Sequence, residues 1–138
     1  MSIYKPKKAN VSHFLGIDYG ESKVGLATAD SETRMAFQYA TLDNDNNFLQ
    51  KLSEIIQKEN ISKVIIGISA SVEVKPIRFR LENFLKEKLK MKIEYQEEMF
   101  TTKQAQRNLI EKGVKGIKKF DDQEAARIIL QGWLDKKK

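Results

Sequence analysis

Carboxylates recur where the chain's elements end. In "FLGIDYGESKVGLATAD", Phe14 to Asp30, an apolar run spends one position on Asp18. Glu97 and Glu98 stand at the exit of "MKIEYQE", and Asp121 and Asp122 open the last helical segment. An ionised carboxylate in an apolar strand is costly unless it is paired, hydrogen-bonded or metal-bound. Acids brought together repel one another. Hard divalent cations relieve that repulsion, because Mg²⁺ prefers oxygen ligands and fills its shell with water and substrate phosphates. Two such ions about 3.5–4 Å apart clamp the attacking and leaving oxygens of a phosphodiester. Each acid also has an ordinary structural role open to it. Asp18 could accept hydrogen bonds from the following turn, the glutamates could sit in a solvated loop, and Asp122 could be an N-cap. Other chemistries have little to work with. There is no cysteine, and His13 is the single histidine, set before the first strand.

The elements that must position these acids follow from hydrophobic periodicity. Val11–Tyr19 and Val24–Ala29 read as a hairpin around Gly20, Glu21 and Ser22. "RMAFQYATL" reads as a third strand. Phe48, Leu49, Leu52, Ile55 and Ile56 have helical spacing, so a helix is expected to about Asn60. "KVIIGIS", Lys63 to Ser69, suits a strand buried on both faces. Pro76 fits the first turn of a second helix lined by Ile77, Leu81, Phe84 and Leu85. Met91, Ile93 and Tyr95 alternate with polar residues as in a strand. Thr101 and Gln104 form a capping box for a third helix that Gly113 closes. In the last helix, expected from Asp121 to Leu134, the positions in phase with Asp122 are Ala125, Ala126, Ile129, Leu130 and Trp133. Those in phase with Asp121 include Glu124 and Gly132. Asp122 therefore continues the buried stripe. The order is an α/β architecture, a mixed central sheet of five strands flanked by helices. Strict alternation separates Glu97 from Glu98 onto opposite faces without deciding which one joins a site.

One domain is expected, residues 13–138, preceded by a flexible basic arm over 1–12. The charge is +6, from 25 Lys+Arg against 19 Asp+Glu, which suits a polyanionic partner such as RNA or DNA and equally an ordinary solvated surface. No apolar run approaches the roughly 20 residues of a membrane span, and no signal peptide is evident. With no cysteine, a cytoplasmic location is expected.

With these residues in place, the chain resembles the YqgF family, RNase H-like proteins described as pre-16S rRNA nucleases or Holliday junction resolvases. "GIDYGESKVGLATAD" resembles the opening D-x-G-x-K-R-I-G-V-A motif, and "KVIIGIS" the central strand with V-V-G-L-P. "EEMFTT" resembles D-E-R-L-T-T, and "DDQEAARIIL" the closing V-D-x-x-A-A-x-x-I-L. The resemblance covers about Phe14 to Leu134. It implies an RNase H-like fold and a catalytic, metal-binding set of Asp18, Glu98 and Asp122, holding one or two Mg²⁺ or Mn²⁺ ions. The choice of Glu98 over Glu97 rests on the resemblance. Thr101 and Thr102 match the motif's threonines. The chain departs from the family at Met99, which replaces an arginine, at Ser22 in the Lys-Arg pair, and at Ser69, which replaces a proline. The D-G of the following loop is absent from "SASVEVKP". These changes bear on rate and substrate choice more than on fold.

The expected activity is divalent-metal-dependent nuclease action on structured RNA, in 5′-end processing of pre-16S rRNA, or on branched DNA as a Holliday junction resolvase. Lys23 beside the first turn, with Lys118 and Lys119 in the basic loop "KGVKGIKKF", would meet the phosphate backbone. A non-catalytic nucleic-acid-binding module is the competing reading. An actin-like ATPase shares the opening strand–turn–strand, but needs two such domains. No membrane partner is expected, and the protein is expected to be a monomer or weak homodimer.

Overall fold

A computed structural model describes residues 11–68, 76–97 and 122–137, positions 76 and 77 by their backbone alone. Five strands form one sheet: β1 (His13–Tyr19), β2 (Lys23–Asp30), β3 (Phe37–Asp43), β4 (Ile61–Ile68) and β5 (Lys92–Glu97). Their order is β3-β2-β1-β4-β5. The β1–β2 and β2–β3 pairs are antiparallel. The β1–β4 and β4–β5 pairs are parallel. The helices are α1 (Phe48–Lys58), α2 (Pro76–Asn83) and α3 (Asp122–Lys136). Sequence and structure agree on a mixed five-stranded sheet flanked by helices. The expected helix after Thr101, with its capping box and Gly113, and the arm over 1–10 lie outside the described residues. Ser12, assigned to that arm, is tied to Ser31 by two hydrogen bonds of 2.9 Å.

The pleat of β1 sorts the core into two layers. Leu15, Ile17 and partly buried Tyr19 pack with Phe48, Leu52 and Ile56 of α1 and with Leu81 and Leu85 of the second helical segment. Phe14 points the other way, to Trp133, Leu130 and Ala126 of α3. Val64, Ile65 and Ile66 of β4 are fully buried, as a strand covered on both faces requires. Each such side chain contributes about 1.5–3 kcal/mol by leaving water.

Three boundaries differ from the sequence expectation for local reasons. α1 stops at Lys58 because Asn60 takes a left-handed conformation, φ 54°. β4 begins at Ile61, ahead of the apolar run, since Ile61 pairs with His13. α2 loosens into a π-helical turn, Phe84–Lys88, in which the Leu89 N–H donates to the Phe84 carbonyl at 3.2 Å. Lys90, φ 55°, then turns the chain into β5.

Candidate active site

Asp18 is the penultimate residue of β1 and 9% exposed. It follows Phe14 and Gly16 on the face that α3 covers. A Cβ on Gly16 would lie 2.7 Å from the Leu130 Cβ and 3.0 Å from the Ala126 carbonyl oxygen, so helix and strand nearly touch there. Asp18 pairs with Gly25 of β2. Over Gly25 sits the first residue of α3: a Cβ at position 25 would fall 1.9 Å from the Asp122 carbonyl oxygen and 2.9 Å from its Cβ. The cross-strand partner of one acid is thus the seat of the other. Asp18 and Asp122 stand together at the carboxyl end of β1, where open α/β sheets place their ligands.

The helix that carries Asp122 is held along its length. Ala125, Ala126, Ile129, Leu130 and Trp133, the stripe read from the sequence, are all buried. The Trp133 ring meets Phe14 edge-on at 5.0 Å, and its indole N–H donates to Glu94 Oε1 at 3.1 Å. At the other end, Arg34 Nη2 donates to the carbonyls of Leu134 and Lys137 at 2.6 and 2.8 Å, capping the helix with positive charge. Gln131 clasps the same turn, accepting from the Ala36 N–H at 2.9 Å and donating to the Arg34 carbonyl at 3.2 Å.

The β1–β2 turn beside Asp18 is equally fixed. The Gly20 N–H donates to the Lys23 carbonyl at 3.1 Å, and a Cβ on Gly20 would meet that oxygen at 2.7 Å. Asn44, just past β3, donates its side-chain amide to the Gly20 carbonyl at 2.8 Å and its N–H to Ser22 at 2.9 Å. Lys23 forms an ion pair with Asp43, its register partner on β3. That hydrogen bond and charge raise the lysine's pKa above its ordinary value, and the field of Asp122 adds to the effect. Lys23 is thus within the field of Asp122 while resting on Asp43.

On β5, Glu94 and Gln96 face α3: Glu94 through Trp133, Gln96 through Gly132, whose added Cβ would lie 3.0 Å from Gln96 Nε2. Glu97 is exposed and in phase with Ile93, which packs on the opposite core. Glu97 therefore does not share the face of Asp18 and Asp122. Glu98, Thr101, Thr102, Lys118 and Lys119 lie outside the described residues. Among the described residues no three His, Cys, Asp or Glu side chains converge as a metal-ligating group. Sequence reasoning missed Gly25, Asn44 and Gln96. Gly25 carried a faint signal, a glycine amid an apolar strand, which marks close backbone approach. No described helix is long and apolar enough to cross a membrane.

Known proteins share this fold and, in part, this sequence. A protein of Acetivibrio thermocellus named "Putative pre-16S rRNA nuclease" is 34% identical over 136 residues, covering 89% of this chain and 95% of its own. One of the same name from Malacoplasma penetrans is 32% identical over 137 residues, covering 92% and 96%. Among solved structures, the fowlpox virus resolvase in complex with Holliday junction DNA superposes with a TM-score of 0.60 at 13% identity, over 90% of this chain and 97% of that one. T. thermophilus RuvC with a Holliday junction substrate gives 0.56 at 11% identity, over 91% and 95%. These two likenesses establish the fold as RNase H-like. Residues 12–136 match the family described as RuvX, Holliday junction resolvase, and the chain belongs to that RuvX (YqgF) family.

Proposed function

We propose that this protein is a divalent-metal-dependent nuclease that hydrolyses phosphodiester bonds in structured RNA, and that its task is processing of the 5′ end of pre-16S rRNA. The observation that carries this is the seating of Asp122 on Gly25, the strand partner of buried Asp18. Two carboxylates on rigid elements at one sheet end are costly for folding and useful for binding a cation. Their oxygen-only donor set fits Mg²⁺ or Mn²⁺.

Asp18 and Asp122 would hold the ion, with Glu98 as third ligand. Glu98 is taken from the family resemblance, and Glu97, in phase with Ile93, lies on the face away from α3. When bound, such an ion supplies Lewis-acid polarisation of the phosphate and lowers the pKa of water. The protein's own part is positional. β1 fixes Asp18, Gly25 sets the height of Asp122, and Gly20 leaves room for a phosphate against the backbone. Lys23 offers a cation that can exchange Asp43 for a phosphate oxygen. Thr101, Thr102, Lys118 and Lys119 complete the proposed nucleic-acid contacts. The location proposed is cytoplasmic, the assembly a monomer or weak homodimer, with an N-terminal basic arm outside the catalytic domain.

Resolution of four-way DNA junctions is the second reading, favoured by the description of the matching family. Cleavage of structured RNA and of four-way junctions, with Mg²⁺ and with wild type beside Asp18→Asn, tests both. Loss of cleavage in the variant is expected, with RNA the better substrate. Equal cleavage by the two proteins overturns the assignment.

A further inference from the structure

α2 presents an aromatic and cationic surface that the acid pair does not use. Phe79 is 63% exposed and Tyr95 39%. Arg78 lies over the Tyr95 ring, 5.8 Å from its centroid. Glu82 fixes both, accepting from the Tyr95 hydroxyl and pairing with Arg78 Nε at 3.5 Å. Phe79 and Glu82 are one helical turn apart and so share a side of α2. Arg80 follows Phe79 and is exposed. A single exposed apolar side chain is ordinary. Here Phe79 shares a side of α2 with Glu82, the partner of a second exposed aromatic that Arg78 overlies, and exposed Arg80 follows it in sequence.

The register places this surface. Ile17 pairs with Ile66, and Ile66 with Tyr95. Tyr95 is therefore level with the residue before Asp18 and two strand spacings away, about 10 Å. It lies on the opposite face of the sheet, toward α2 rather than α3. Phe79, in the first turn of α2, is near the same sheet end, because α2 packs Arg78 and Glu82 against Tyr95. The surface and the acid pair thus belong to one end of the sheet, on opposite faces.

We propose that Phe79, Arg80 and the Arg78-backed Tyr95 form a stacking platform for unpaired nucleotides flanking the scissile phosphate. This rests on the nuclease reading and sharpens it: the substrate is a duplex that continues into a single strand. Aromatic faces bind any base by stacking, and exposed Arg80 supplies charge complementarity to the backbone.

The test is fluorescence anisotropy with two RNA probes, a blunt hairpin and the same hairpin with a single-stranded 5′ tail. It uses the full chain as wild type, Phe79→Ala, Phe79→Tyr and Arg80→Ala. Wild type is expected to prefer the tailed probe. Phe79→Ala is expected to weaken the tailed probe about tenfold or more, leave the blunt one unchanged, and be rescued by Phe79→Tyr. Arg80→Ala should lower the salt dependence of tailed binding by about one ion. Equal wild-type binding of both probes, or equal weakening of both by Phe79→Ala, overturns the platform and leaves the nuclease reading standing. A Phe79→Ala protein that binds as wild type but changes its sedimentation assigns the patch to a protein contact and likewise overturns it. Wild type binding neither probe overturns both.

Discussion

Gly25 and Asp122 compete for one volume: a Cβ on the glycine would lie 1.9 Å from the aspartate's carbonyl oxygen. Gly25→Ala must lift the start of α3, and overpacking of this kind costs about 1–3 kcal/mol. Displacing a reacting group by about 1 Å costs on the order of 100-fold in rate. We expect Gly25→Ala to remain folded, with a lowered melting temperature, and to lose about 100-fold in nuclease turnover. Thermal melts and single-turnover cleavage on the same preparation check it. Full activity would show that Asp122 need not sit where the helix now holds it.

Asp18→Asn keeps shape and removes charge. Cleavage should fall at least about 100-fold, while far-UV circular dichroism and melting stay close to wild type. Chelation should abolish wild-type cleavage, and added Mg²⁺ or Mn²⁺ should restore it. The metal alone should raise the wild-type melting temperature and leave that of Asp18→Asn unmoved, a readout independent of turnover.

Glu94 gives a pH signature. Lys63 first, then Trp133 and Lys137, hold its carboxyl well below the usual range, at about 2. A folded pKa below the unfolded one stabilises the protein above the unfolded value, about 4.5, and that contribution disappears as pH falls through about 2. The group is a third exposed, so screening limits the effect to about 1 kcal/mol. Glu94→Gln should therefore melt lower than wild type at pH 7, with the gap closing between about pH 4.5 and 2. A gap that persists at pH 2 would assign the loss to packing against Trp133 instead.

Arg34 offers a test at the far end of α3. Arg34→Ala removes two hydrogen bonds to the last carbonyls of the helix and a cation at its negative pole. A destabilisation of about 1–2 kcal/mol is expected in urea unfolding. Cleavage should fall far less than in Asp18→Asn, since the opposite end of the helix stays seated on Gly25.

Much of this was legible in the chain. The apolar stripe in phase with Asp122 is the stripe that packs, because a helix lying along a sheet must bury one face. β4 could be read from its run of β-branched residues, and the β1–β2 turn from Gly20. Gly25 was not legible as a seat for α3, because its meaning comes from strand register and helix height together, which no local period encodes. Asn44 was missed for the same reason: it closes a turn belonging to other strands. The π-helical turn escaped because Leu81 and Leu85 keep an ordinary helical spacing while the hydrogen bonding after them slips by one residue. Alternation alone could not say which face Glu97 takes; the packing of Ile93 on the core opposite α3 shows it.

The two acids come from opposite ends of the chain, and this orders events during synthesis. Domains are made from the N-terminus onward at about 5–20 residues per second. Asp18 and the turn that Asn44 braces can be in place while α3 is still inside the ribosome. Until that helix emerges and settles on Gly25, the growing polypeptide holds half a carboxylate pair. The carboxylate pair is thus completed only after every strand of the sheet has been made.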